Sequence, residues 1–312
     1  MEPVAAAPNL SSVPTEILLS ILSVLPSRAL LPVLPVNRRF YSAAVRLLHA
    51  RLIKAAALQD HRLILECYHP SAKISTPYLY CDYLSTDNLQ IEDGPDGESA
   101  SGLPRPTIAD LGQIYSHFRP VVQEENRRPR LRYPRRAPPA QPSGSGDGGG
   151  SSSQTSSRAE RQEATFPTQD LYLDENQLFS QLCTITNLVK LGPKPGLFVS
   201  HVNVSDGIIR VFREWLGRQA AMADKSNTEI IWADTSQTVG LRFRVTQKDM
   251  PPSEYNPSPV LMAADEEPPV AYRLELEELV VRANHLLLAM EKSELQEFAT
   301  SGNAVMISAV EF

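Results

Sequence analysis

Between Tyr133 and Phe166 the chain carries no apolar residue larger than alanine apart from proline. Pro134–Ser157 holds sixteen Pro, Gly or Ser among its twenty-four residues. Such a stretch has nothing to bury against the entropy of ordering its backbone. It predicts a disordered insert over residues 120–165 and forces the folded parts to form on either side of it. A second polar stretch, Glu92–Arg105, reads as a mobile loop over residues 92–106, and residues 1–8 read as a disordered tail. The 312 residues contain 26 prolines against 15 glycines, more prolines than helices and central strands accommodate, which fits long irregular segments.

Charge is unevenly spread over a chain of net charge −6. Residues 1–65 hold seven Lys or Arg against three Asp or Glu, and residues 162–312 hold twelve against twenty-one. A basic start joined to an acidic remainder argues against general nucleic-acid binding, which needs a basic domain. Three cysteines, Cys67, Cys81 and Cys183, make no disulfide framework and point to a reducing compartment. The start lacks the positive charge of a signal peptide, and no apolar run is long enough to span a bilayer. The expectation is a soluble intracellular protein of the cytoplasm, the nucleus or both, without membrane contact.

The body, from Arg62 onward, reads mainly as strands. Residues 62–91 begin it and residues 166–312 complete it. Gly192-Pro-Lys-Pro-Gly196 joins two β-branched runs, Thr184–Leu191 and Leu197–Val204. Ser205-Asp206-Gly207 sits between two further apolar runs and predicts a tight hairpin turn. Val239–Thr246 alternates, as do Tyr272, Leu274 and Leu276. The phase slips at Glu278 to Leu279 and Val281, as a β-bulge produces. Ala304–Phe312 reads as a closing strand. Ile208, Val211, Phe212, Trp215 and Leu216 fit one helical face as well, but the Asp-Gly pair favours a strand. Leu178, Leu182, Ile185 and Val189 fit a helix ahead of their strand. Between the two polar stretches, Thr107–Phe118 has helical spacing, with Thr107 and Asp110 resembling a capping box and Pro120 as the stop. The fold class expected is α+β: N-terminal helices over residues 9–58, a short helix over 107–119, and an antiparallel β-sandwich-like domain of seven or more strands.

The N-terminal segment carries the most specific pattern. Pro14 suits a helix start and Glu16 complements its dipole. Ile17, Leu18, Ile21, Leu22 and Leu25 make a broad apolar stripe. Leu30, Leu31, Val33 and Leu34 form a second run, broken by Pro32 and Pro35 into a turn or two short pieces. Asn37 can cap a third helix, along which Phe40, Ala44, Leu47 and Leu48 share a face. So short a segment buries too little of its own surface to stand alone. Either it packs on the body, or part of its stripe meets a partner.

The order Val-Pro-x-Glu-Ile-Leu, leucine-rich helix, apolar run and Val-Asn-Arg-Arg-Phe resembles the F-box. The match covers about 45 residues. Val13 stands where the family usually has Leu, and Phe40 where it usually has Trp. The resemblance implies a trihelical unit that docks on the Skp adaptor and through it on a cullin scaffold. Carried over by position, Val13, Pro14, Ile17, Leu18, Ile21 and Leu22 are the adaptor contacts of the first helix, followed by Leu30, Leu34, Val36 and Phe40. The layout is also similar to F-box proteins of filamentous fungi with a β-rich C-terminal domain.

Other features were weighed for chemistry. Trp215 and Trp232 suit stacking on a sugar face, although tryptophan on an alternating strand is more often core. His61, Cys67, His69 and Cys81 lie close in sequence without a paired ligand spacing, so no metal and no cofactor is expected. No Walker loop, nucleophile elbow, zinc-protease or dinucleotide motif occurs, which argues against an enzyme. Arg127, Arg128, Arg130, Arg132, Arg135 and Arg136 read either as a nuclear-import signal or phosphate-seeking patch, or as a solvated linker.

The expected function is therefore a non-catalytic, substrate-recognition subunit of a Skp–cullin–F-box ubiquitin ligase, with an unknown protein substrate on the β-rich domain. The rivals are a small-ligand or glycan-binding β-sandwich whose helices are structural, and an F-box protein acting outside a cullin ligase.

Overall fold

The computed structural model of the chain describes residues 13–73, 76–87, 107–122, 166–192, 197–222, 229–249 and 267–299. The expected tail, the loop over 92–106, nearly all of the insert, its six arginines and the strand over Ala304–Phe312 lie outside the described residues.

Three helical pieces open the fold. Helix α1 spans Thr15–Ser23 and begins directly after Pro14. Helix α2, Ser27–Leu30, lasts one turn and runs into a 3-10 turn, Leu31–Val33, that contains Pro32. Helix α3 spans Arg38–Ala56, and the Asn37 side chain caps it by accepting from the Phe40 N–H at 2.9 Å. Ala44 and Leu48 are buried, with Phe40 and Leu47 packed at the margin of the same core. The expected caps and the broken second helix are all present.

Strand β1, Arg62–Tyr68, starts the sheet, followed by β2, Leu79–Asp87. Thr107–Phe118 departs from expectation. Its capping box forms, with the Thr107 N–H donating to Asp110 at 2.7 Å. The helix α4 is then only Ile108–Leu111, and Tyr115–Val121 is strand β3. Tertiary pairing overrides the helical spacing here, because residues of β3 pair with two strands and Phe118 is fully buried. Pro120 stands inside β3 opposite Cys81, so it ends no helix.

Strands β4, Thr168–Leu173, β5, Phe179–Leu191, and β6, Phe198–Phe212, follow. The β5–β6 hairpin forms as the sequence predicts, closed by Gly192 N–H donating to Leu197 at 2.7 Å. Asp206-Gly207 makes no turn. Strand β6 runs through it, with a register shift against Thr186 and Asn187. The glycine serves close approach instead, since a Cβ there would stand 2.6 Å from the Ala233 carbonyl oxygen. Helix α5, Arg213–Ala221, takes over from β6, which places Trp215 and Leu216 on a helix. Leu178 precedes a strand directly, with no helix between. Strand β7 is Ile231–Trp232, β8 is Val239–Lys248, β9 is Val270–Arg282 and helix α6 is Ala283–Ala299. The slip at Glu278 is a bulge, with Arg242 opposite Glu278 and Phe243 opposite Leu276.

All nine strands among the described residues belong to one antiparallel sheet ordered β6-β5-β1-β2-β3-β9-β8-β7, with β4 beside β3 on the same edge of β9. Thus the α+β class holds, and the β-rich body is a single curled sheet. Its terminal strands approach each other at Gly207 and Ala233, so it is nearly a closed barrel. One continuous core contains both the sheet interior and the N-terminal helices. The link is α6, which packs on β5, β6 and β9 and against α3. Arg51 of α3 donates to the carbonyls of Ser23 and Leu25 at 2.7 Å each and to Ser27 Oγ at 3.0 Å. Glu291 of α6 sits 3.5 Å from Arg51 and accepts from the Ser27 N–H at 2.9 Å. The turn between α1 and α2 is thereby fixed to the body.

Candidate functional site

Two surfaces leave apolar groups unsatisfied, and the first is the outer face of the N-terminal helices. Ile17, Ile21 and Val24 follow i, i+4, i+7 spacing on α1 and are 52%, 49% and 84% exposed. Leu31 and Val36 are exposed as well, so five large aliphatic side chains meet solvent within twenty residues. The residues expected at an adaptor interface divide sharply. Pro14, Ile17, Ile21 and Val36 are exposed, and Val13, Leu34 and Phe40 are half-buried. Leu18, Leu22 and Leu30 are buried in the protein's own core, with Leu18 at 1%. No partner reaches those three while the chain stays folded. The reason is the helical period: the sequence stripe is wide enough for two faces, and α3 takes one of them.

The second surface is a cleft of about 960 Å³ at the seam where the sheet fails to close. Phe179, Phe212, Trp215 and Trp232 supply its aromatic lining, with Arg210, Arg213 and Arg218 and the carboxylates of Glu214, Glu229 and Glu267 around them. Phe179 and Phe212 face each other across β5 and β6 with centroids 5.8 Å apart, and Arg210 lies over the Phe179 ring at 5.7 Å. Trp215 is nearly buried, and its indole N–H donates to Glu229 at 2.8 Å. Trp232 leans on Tyr115 at 5.5 Å and crosses Gly240, where a Cβ would stand 2.8 Å from its ring. Arg213 is structural: it donates to the carbonyls of Gln177, Pro268 and Asp174 and pairs with Glu267 at 3.2 Å. The sequence offered both tryptophans as candidates. It gave no sign of the cleft, which is assembled by strands at opposite ends of the sheet.

Two polar clusters are invisible to sequence patterns. His117 of β3 lies 2.8 Å from Glu278 through Nδ1 and 2.9 Å from Asp87 through Nε2, and Glu278 also pairs with Arg242. Satisfying two carboxylates requires both ring nitrogens to donate, as only the imidazolium does. The hydrogen bond to Glu278 is the main cause holding the His117 pKa above its ordinary 6.5, against burial that opposes it. Burial pushes the Glu278 carboxyl up, but the His117 hydrogen bond and the Arg242 charge outweigh it, and the net shift is downward. This network ties β2, β3, β8 and β9 together. In the other cluster, His61 Nε2 meets Ser293 at 2.9 Å and Nδ1 meets the Gln59 carbonyl at 2.9 Å, while Ser293 contacts Ser200. Ser293 is fully buried, so the pair pins α6 to the sheet and meets no substrate.

Burial pushes the Cys67 thiol up to about 12 and raises Cys81 likewise, which leaves neither as a ready nucleophile. Among the described residues no group of three or more His, Cys, Asp or Glu side chains is arranged to hold a metal ion, and no helix is long and apolar enough to cross a membrane. No protein-family model, no curated protein and no solved structure matches this chain.

Proposed function

We propose that the chain is a substrate-recognition subunit of a Skp–cullin–F-box ubiquitin ligase, with the N-terminal helices as its F-box and the curled sheet as its receptor. The observation that carries this reading is the solvent-facing stripe Ile17, Ile21 and Val24, joined by Leu31 and Val36, in the segment whose sequence resembles the F-box. Aliphatic anchors at helical spacing fill a partner's groove by shape and area burial, and a few central ones supply most of the affinity. The protein performs no chemistry of its own. It holds a bound substrate near a charged conjugating enzyme, so that a transfer between separate molecules becomes a proximity-driven one. The Arg51–Glu291–Ser27 clamp suits that task, because a receptor fixed to its docking unit presents the substrate in a defined direction.

Co-purification of the full chain with a Skp adaptor tests the reading. Ile17→Asp with Ile21→Asp is the appropriate variant, because both side chains face solvent, whereas Leu18→Asp would disrupt the core. Stoichiometric capture that the double variant abolishes supports the assignment. A second reading, a small-ligand or glycan receptor, is favoured by the aromatic cleft with Trp232 and paired Arg and Glu side chains. Binding of a sugar there without adaptor capture would favour that reading instead.

A further inference from the structure

Helix α3 is the longest helix among the described residues, and its nineteen residues include no Asp or Glu. Its cations are Arg38, Arg39, Arg46, Arg51 and Lys54. Two of them have duties in the fold. Arg51 meets Glu291 and the carbonyls of the turn between α1 and α2, and Arg39 turns back to Val13 and Thr15. Arg38, Arg46 and Lys54 are exposed and make no hydrogen bond or ion pair among the described residues. On the sheet, by contrast, Lys190, Arg242, Arg244, Lys248 and Arg273 each meet a carboxylate.

Arg38, Ser42, Arg46, Ala50 and Lys54 follow one another at every fourth position, and all five are exposed. Residues so spaced form a ridge that winds along the helix surface. Its cations stand about 12 Å apart along the axis, and the small side chains of Ser42 and Ala50 leave gaps between them. Such gaps admit the ridge of a second helix, the commonest way in which helices pack. The ridge also runs against the helix's own electrostatics. Arg38 is the first residue of α3, where the helix dipole favours a carboxylate and opposes a cation. No carboxylate among the described residues pairs with it to offset that placement.

We propose that this face of α3 docks an acidic helix of a partner protein, whose Asp or Glu side chains reach Arg38, Arg46 and Lys54. A helix with acidic residues four or eight positions apart matches the ridge. Its packing into the gaps at Ser42 and Ala50 adds contact area to the attraction of charge. Duplex nucleic acid fits less well, because one charge per ~1.7 Å of its axis calls for far more than three cations. A membrane surface fits less well too, because no large apolar side chain stands on the ridge to enter the acyl boundary. The ridge lies on α3 and not on the α1 stripe, so the proposal does not rest on the ligase reading.

The test uses the purified full chain without adaptor. A displayed library of alanine-based helices, randomised along one face, is selected on it, and the best binder is labelled for fluorescence polarisation. Enrichment of Asp and Glu at four- and eight-residue intervals is expected, with binding that weakens as salt is added. Arg38→Glu with Arg46→Glu should weaken binding by about tenfold or more. Arg38→Glu alone should leave the thermal midpoint unchanged or raise it, because a carboxylate suits the first turn of a helix. Lost binding is thereby separated from lost folding. Selection without acidic enrichment, indifference to the charge reversal or a lowered midpoint in Arg38→Glu would overturn the proposal. So would an affinity that survives a helix-breaking proline in the binder, or tighter binding of duplex DNA or phosphatidylserine vesicles than of the selected helix.

Discussion

The helical face and the seam cleft both expose apolar surface, yet they do so by opposite means. On α1 the side chains of Ile17 and Ile21, with Val24 at the C-cap, meet solvent. Aliphatic side chains at helical spacing on a surface suit a groove in a partner. At the seam the surface is concave, a cleft lined by aromatic side chains with arginines and glutamates around them. One region is a helical face and the other a cleft, and α6 joins the sheet to the helices through its packing on α3 and the Arg51–Glu291 pair.

The largest expected effect separates the two faces of α1. Leu18→Asp buries a carboxylate among Leu22, Leu30 and the α3 side chains, and should cost about 3–5 kcal/mol, enough to unfold the chain in a urea titration. Ile21→Asp, three residues away, should change stability by no more than about 0.5 kcal/mol. Equal effects would mean that the stripe is core on both sides.

A smaller effect tests the seam. Gly207→Ala places a Cβ 2.6 Å from the Ala233 carbonyl oxygen, where backbone must move. Destabilisation of about 1–3 kcal/mol is expected, together with altered fluorescence of Trp232, whose strand leads into Ala233. A silent substitution would mean that the two edges do not meet.

The smallest effect concerns the sheet between these surfaces, and it is read from pH. Because folding raises the His117 pKa, its contribution is complete below 6.5 and is lost as pH rises through the folded value. Glu278 is lowered, so its contribution is complete above 4.5 and is lost as pH falls. Thermal stability should accordingly peak between these values and decline on the alkaline side. His117→Asn should flatten that alkaline limb, and a limb unchanged in the variant would assign the decline elsewhere.

What the sequence revealed followed from local physics. Asn37 as a cap, the Thr107–Asp110 box and the phase slip at Glu278 each need only a few neighbouring residues, and each is in place. Asp206-Gly207 misled because two explanations share one signal: a glycine is needed equally for a tight turn and for the approach of another strand's backbone. Tyr115 and Phe118 misled because their spacing is helical while their partners, on β2 and β9, lie far along the chain. Helices α5 and α6 follow strands without a break, so the alternation ahead of them masked their starts. The candidate docking stripe was half legible. Its residues were named, but which of them face outward depends on α3 and could not be read from period alone. The seam was not legible at all, since it exists only where the first and last strands of the sheet order converge.

The central claim is that α1 presents Ile17 and Ile21 to a Skp adaptor. Its most direct measurement is co-purification of the full chain with that adaptor, wild type beside Ile17→Asp with Ile21→Asp, with the thermal midpoint of each recorded. The account predicts stoichiometric capture by the wild type and none by the double variant, at an unchanged midpoint. No capture by the wild type, or capture that survives the substitutions, would contradict it.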